Sequence, residues 1–225
     1  VGFDDINYGL QRGVFSRWIV GQAVEGATRV VVACSYAKGL IHKQRYTVDE
    51  QKIAIIVLGV DTAHFHPPDS RQNSLNKHLI HAASLVGVKD QATLLRAFSR
   101  LDANTTLDIL GVGPERQHLE TLSVELGIRD RVHFLGAVDH LDLPAHYQKA
   151  DLNVLTSRHE GLGMVTLEAA ACGVPTVSTA VGLLPDLPEM GLCTAVGDDA
   201  ALAQAIERLL HDDELREKLG GSALE

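Results

Sequence analysis

The feature that most limits the fold is an alternation that starts near Lys77. Apolar runs of strand length occupy residues 79–86, 107–110, 132–135, 152–155, 176–178 and 193–196. Between them the spacing becomes helical. Leu94, Leu95, Phe98 and Leu101 fall on one helix face, as do Leu119, Leu122 and Leu126 before a stop at Gly127. A short helix is expected over 143–149. Asp90 is placed to cap the first helix, Asp198 or Asp199 to cap one reaching about His211, and a last helix runs to Leu219. Strands alternating with helices build a parallel sheet covered on both faces. The predicted class is therefore α/β. Such sheets bind ligands outside the carboxyl ends of their strands. The loops that matter are 86–90, 111–114, 136–138, 157–163 and 181–186.

Residues ahead of this alternation are less regular. A helix is expected over 10–25 with Val14, Trp18, Ile19 and Val24 roughly on one face. Residues 29–33 read as a buried strand, Ser35 as the cap of a helix to about Gln44, and 52–58 as a second apolar strand. The pair Pro67-Pro68 and the polar run to Lys77 mark a boundary. The expected division is 1–66, a linker at 67–76, and a second unit at 77–225.

A net charge of −9 with neutral histidines argues against a nucleic-acid or anionic-membrane footprint. Cys34, Cys172 and Cys193 have no metal-like spacing, which suggests a reducing compartment. The apolar runs are too short to span a bilayer. A cytoplasmic location is expected. The eleven histidines form no metal-binding motif, and no metal is expected.

The stretch from Ser157 to Gly173 carries the chemistry. A strand runs into a loop with Glu160, Gly161 and Gly163, and the loop into a helix from about Met164 to Cys172. Gly173 stands where a left-handed helix stop belongs. The helix start offers free N–H groups and the positive end of its dipole, and the glycines admit an anion to the backbone. Glu160 precedes the helix, and Glu168 lies about 6–8 Å along it at ~1.5 Å per residue. Phosphate at the helix end and sugar hydroxyls on the acids would fit. On spacing alone, an ordinary strand–loop–helix with two surface glutamates fits as well.

Glu160-Gly-Leu-Gly163 with Glu168, then residues 169–177 (Ala-Ala-Ala-Cys-Gly-Val-Pro-Thr-Val) and Val181-Gly182, resembles the donor-site signature of retaining nucleotide-sugar glycosyltransferases. These are the glycogen-synthase-like group of the GT-B fold, glycosyltransferase family four. The similarity extends from about Val31 to about Leu219.

That resemblance implies a Rossmann-like GT-B donor domain at 77–225, preceded by a remnant of the acceptor-side domain. It implies transfer of a hexosyl unit from a UDP-, GDP- or ADP-sugar to an acceptor hydroxyl, with retention and no metal or other cofactor. The acceptor would be a sugar, a lipid or a small molecule. Peripheral membrane association would come only through the absent first domain.

Residue by residue, the resemblance implies that Lys89 contacts the diphosphate and Glu168 the ribose diol. Glu160 would lie near the transferred sugar, in a donor-site and catalytic role. Leu162, Gly163 and Met164 would offer backbone N–H groups to the phosphates. Gly111-Val-Gly113-Pro114 would line the donor cleft, and Ala137 and Val138 would meet the base through backbone. One departure is Ala83-Ser84, where the family carries Gly-Arg and the arginine also grips the diphosphate. Arg158 is a candidate substitute.

The acceptor side and a catalytic histidine belong to the family's first domain. So does the surface that normally receives a returning C-terminal helix. This chain alone is therefore also readable as inactive, self-associating, or a non-catalytic nucleotide-binding or scaffold module. A GT-B sugar-nucleotide epimerase is a further alternative. The Glu160-to-Glu168 spacing and the Ala-rich helix favour the transferase.

Overall fold

The computed structural model describes residues 14–43, 46, 48–70 and 76–222. Two parallel sheets form among them. The small one pairs β1 (Val30–Val32) with β2 (Ile53–Ile55) and is accompanied by α1 (Val14–Gly26) and α2 (Ser35–Lys43). The large one has six strands: β3 (Lys77–Ala82), β4 (Thr105–Leu110), β5 (Val132–Gly136), β6 (Leu152–Leu155), β7 (Thr176–Thr179) and β8 (Gly191–Thr194). Its helices are α3 (Gln91–Phe98), α4 (Arg116–Glu125), α5 (Leu143–Tyr147), α6 (Met164–Ala171), α7 (Asp199–His211) and α8 (Asp213–Ser222).

All pairings in the large sheet are parallel. On one face, Leu79, Leu107, Ile109, Val154 and Val177 pack against Leu94, Leu95 and Phe98 of α3, Leu119 of α4, and Ile206 and Leu209 of α7. On the other, Ile80, Ala82 and Leu110 meet Phe65, Tyr147 of α5, and Ala169 and Ala171 of α6. Neighbours Leu79 and Ile80 serve opposite faces, as the strand's two-residue period requires. Burial on both sides explains why β6 and β7 are buried at every position. The α/β, Rossmann-like expectation holds.

The strand order is β5-β4-β3-β6-β7-β8. The chain starts in the middle, winds outward to β5, then returns to lay β6 on the other side of β3. The loops after β3 and β6 therefore leave in opposite directions and open a crevice between them, a topological switch point.

Several local expectations are corrected. Asp90 sits in the left-handed region at φ 49°, makes no side-chain cap, and turns its carboxylate to Arg158 at 3.1 Å. Its backbone is spent reversing the chain out of the tight turn Gly87–Lys89, so the extended geometry of a cap is not available to it. Asp198 does cap α7, accepting from the Ala201 N–H at 2.9 Å. Strand β8 begins two residues earlier than expected, because Gly191 slides against Thr176, whose carbonyl oxygen lies 1.8 Å from where a Cβ would be.

Ser35 does not cap α2 with its side chain in the expected way; its N–H donates to Asp186 at 2.7 Å. Along 52–58 only Ile53–Ile55 pairs as a strand, with the Ile56 N–H still reaching Val32. Strand β1 is too short to pair further, and Ile56, Val57 and Leu58 are exposed. In α1, Val24 is buried but Trp18 and Ile19 are exposed, since a two-stranded sheet is too narrow to cover that face. Residues 10–13, Gln44 and 71–75 of the expected elements lie outside the described residues.

No helix among the described residues is long and apolar enough to cross a membrane.

Candidate functional site

Lys89 and Glu160 stand on the two loops that flank the switch point, and their side chains form an ion pair. The β6 loop is pinned to the β3 loop by backbone. Arg158 N–H donates to the Val88 carbonyl at 2.8 Å, and the Thr156 hydroxyl to the Lys89 carbonyl at 2.9 Å. The Ser157 hydroxyl donates to Glu160 Oε1 at 2.7 Å, the oxygen that Lys89 also meets. No described residue hydrogen-bonds Glu160 Oε2. The loop is held from behind as well, with the Thr179 hydroxyl donating to the Ser157 carbonyl at 2.6 Å.

Gly163 precedes α6 at φ 82°, a left-handed conformation that glycine adopts without strain. The Thr166 N–H returns to the Gly163 carbonyl at 2.9 Å. The N–H groups of Met164 and Val165 lie ahead of the helix's own ladder. No acidic side chain sits in the first turn to offset the dipole. The end of α6 is thus positively polarised beside Lys89, on the loop that carries Glu160.

Glu168, farther along α6, is buried and held from two sides. Tyr147 donates its hydroxyl to Oε2 at 3.2 Å, and His140 Nε2 lies 3.5 Å from Oε1. Burial and then the Glu168 charge push the Tyr147 phenol well above its ordinary pKa, so it stays a donor. The His140 ring stacks near His64, with centroids 5.9 Å apart, and edges onto Phe65. Val138 is half-buried beside this group. The structure therefore gathers Lys89, Glu160, Leu162, Gly163 and Met164 at one end of α6, and Glu168 with Val138 along it.

Gly111 and Gly113 have a steric reason. A Cβ at Gly113 would lie 2.2 Å from the Leu85 carbonyl oxygen. That loop is a backbone weld between the ends of β3 and β4, with the Leu85 N–H on Val112 at 2.9 Å and the Glu115 N–H on Leu85 at 3.1 Å. Arg158, the candidate substitute for the departure at Ala83-Ser84, is more than half exposed and forms an ion pair with Asp90 at 3.1 Å.

Sequence reasoning missed Ser157, Tyr147, His140 and His81. Ser157 was adjacent to the motif; the others come from a distant strand, loop and helix with no local signal. His81 is fully buried on β3. Its Nδ1 lies 2.7 Å from the Val154 carbonyl, which can only accept, so Nδ1 carries the proton and Nε2 is a bare acceptor without a partner among the described residues. Burial lowers its pKa to about 4, with Lys89 pushing the same way and Glu160 opposing.

A cavity of about 220 Å³ lies along α6, lined by Leu167, Ala170, Phe65, Pro67, Val60 and Met190 among others. It is largely apolar and holds neither Lys89 nor Glu160, so the converging charges, not the cavity, locate the site. No group of three or more His, Cys, Asp or Glu side chains suited to a metal occurs among the described residues.

Comparison with known proteins bears on this geometry. The model of the family described as Glycosyl transferases group 1 matches residues 64–225. A D-inositol 3-phosphate glycosyltransferase from Salinispora arenicola is 32% identical over 90% of this chain and 51% of its own length. A GDP-mannose-dependent alpha-(1-6)-phosphatidylinositol monomannoside mannosyltransferase from Mycolicibacterium smegmatis is 34% identical over 68% of this chain and 46% of its own. Among solved structures, sucrose-phosphate synthase from Thermosynechococcus elongatus superposes with a TM-score of 0.86 at 28% identity, covering 97% of this chain and 59% of that one. The chain spans about half the length of the curated relatives it matches. With a matched model over most of its length and the GT-B architecture, the chain belongs to the glycosyl transferases group 1 family.

Proposed function

We propose that residues 77–225 form the donor half of a retaining hexosyltransferase and bind a nucleotide diphosphate sugar at the β3–β6 crevice. The observation that carries this reading is the convergence of Lys89, Glu160 and the uncompensated N-terminus of α6, with Glu168 farther along the same helix. The relatives' names support the donor class, one of them naming GDP-mannose. Transfer to an acceptor hydroxyl is proposed for the whole protein, and donor binding for this chain.

In this reading the diphosphate takes the α6 N–H groups and the Lys89 ammonium, which leaves Glu160 to turn toward the sugar. Glu168 accepts from the ribose diol in place of its contact with His140. The positive groups stabilise the departing diphosphate, so the chain supplies orientation and charge rather than a nucleophile. Retention would follow a front-face route, in which the leaving phosphate helps deprotonate the acceptor. No metal is required, since a helix end and a lysine take the cation's part.

Replacement of Lys89 or Glu168 by alanine is expected to weaken nucleotide-sugar binding by about 1–3 kcal/mol each, the range for hydrogen bonds to charged groups. Calorimetric titration of the two variants reads this directly. Unchanged affinity in both would remove the site. EDTA is expected to leave the affinity as it was; loss of binding on chelation would overturn the metal-free reading.

A further inference from the structure

Three consecutive residues at the start of α2 reach the loops of the crevice from the small sheet. The Cys34 thiol donates to the Gly161 carbonyl at 3.3 Å. The Ser35 N–H donates to the Asp186 carboxylate at 2.7 Å. The Tyr36 hydroxyl lies 2.8 Å from His159 Nδ1. Gly161 and His159 are the two neighbours of Glu160 in the chain. Asp186 lies on the loop after β7, which closes on the same motif from the far side. There the Leu183 N–H donates to the Leu162 carbonyl at 2.9 Å, and a Cβ on Gly182 would lie 2.9 Å from Glu160 Cβ. The apolar contact beneath is continuous, with Val24, Val32 and Ile41 packed in one cluster with Leu162, Leu167 and Leu183. Glu160 is therefore bracketed on both sides in sequence by residues held from a different sheet.

We propose that the segment Cys34–Tyr36 is a clamp that fixes the placement of Glu160, and that Tyr36 is a positioning residue for the transferred sugar, acting through His159. This rests on the donor-site reading above and deepens it. In the donor-site reading the nucleoside diphosphate is held by Lys89, Glu168 and the end of α6, whereas the Tyr36 hydroxyl meets His159. Glu160 serves the sugar. Loosening the clamp then costs the sugar's share of the affinity and spares the nucleotide's. Burial raises the Tyr36 phenol's pKa, and Cys34 and Glu160 raise it further, so the hydroxyl stays protonated. Cys34 is buried and its thiol is held above its ordinary pKa by that burial first. It contributes a contact, not a reactive thiolate.

The test is calorimetric titration of the unaltered chain, Tyr36→Phe and His159→Leu, each with UDP, GDP and ADP and with the glucose and mannose conjugates of the nucleotide that binds. Tyr36→Phe keeps the ring and removes only the hydroxyl. It is expected to weaken the hexose conjugate about three- to tenfold, as for loss of one hydrogen bond, and to leave the bare diphosphate unchanged. His159→Leu is expected to do the same. The double variant should lose no more than either single one, because both act through one contact. Equal losses for diphosphate and conjugate, no loss for either, or additive losses in the double variant would overturn the clamp while the donor site stands. Failure of the folded, unaltered chain to bind any nucleoside diphosphate would remove the donor reading and the clamp with it.

Discussion

Replacing Gly111 by alanine is expected to lower the stability of the fold by about 3 kcal/mol or more, combining overpacking and backbone strain. The residue follows β4 at φ 131°, where an L side chain is strained, and its Cβ would lie 2.0 Å from the Ala83 carbonyl oxygen. Neither side can yield cheaply. The Ala83 N–H is bonded to Leu110 at 3.0 Å, the Leu85 N–H to Val112 at 2.9 Å, and the Gly111 N–H to Gly136 at 2.7 Å. Three strand ends, those of β3, β4 and β5, meet at this weld. Gly113→Ala tests the steric part alone, since it meets Leu85 backbone but has no left-handed φ. Urea denaturation of both variants reads the loss. A Gly111→Ala midpoint equal to that of the unaltered chain would show that the loops are not welded as described.

Acid is expected to destabilise the fold well before its carboxylates are protonated. His81 has a folded pKa of about 4 against an ordinary 6.5. Between those values the unfolded chain takes up a proton at His81 that the folded chain does not. Stability from this group is therefore full above pH 6.5 and is lost as pH falls toward 4. At 1.36 kcal/mol per unit, the loss is roughly 3 kcal/mol. His81→Leu removes the titrating group and should flatten that limb of the profile. A second loss follows at lower pH. Burial alone would raise the Asp108 carboxyl, but hydrogen bonds from His78 and His133 outweigh it and lower its pKa. Its contribution is present above its ordinary value of 3.8 and goes as pH falls through the depressed one. Urea midpoints followed from pH 7 down to well below pH 3.8 separate the two windows. The same decline in His81→Leu as in the unaltered chain would rule out His81 as its source.

The parts of the fold legible in sequence were those written locally. The alternation of apolar runs with helical spacing gave the parallel sheet, because strands buried on both faces must be apolar throughout and covering helices must be amphipathic. Glycines at 163 and 173 gave the ends of α6, because only their backbone freedom suits the left-handed values found there. The strand order was not legible, since periodicity reports which residues face a core and not which strand is the neighbour. Asp90 stands at the cap position but makes no side-chain cap, for a related cause. Its residue type suits a cap, but the tight turn before it decides its backbone, and Arg158 takes its carboxylate.

The candidate site shows the same division. Glu160, Gly163 and Glu168 lie within one stretch and could be read together. The contact between Lys89 and Glu160 joins residues 71 apart in sequence, and that between Cys34 and Gly161 joins residues 127 apart. Tyr147 offered no signal at all, because a buried tyrosine on a short helix looks like core until its hydroxyl is seen to meet Glu168.

The most direct measurement is calorimetric titration of the folded chain with UDP, GDP and ADP. The account predicts saturable binding of at least one of them, at one site, weakened in Lys89→Ala and in Glu168→Ala and unaffected by EDTA. Absence of binding by all three in a sample shown to be folded, or binding that both variants retain in full, would contradict the assignment of the β3–β6 crevice as the donor site.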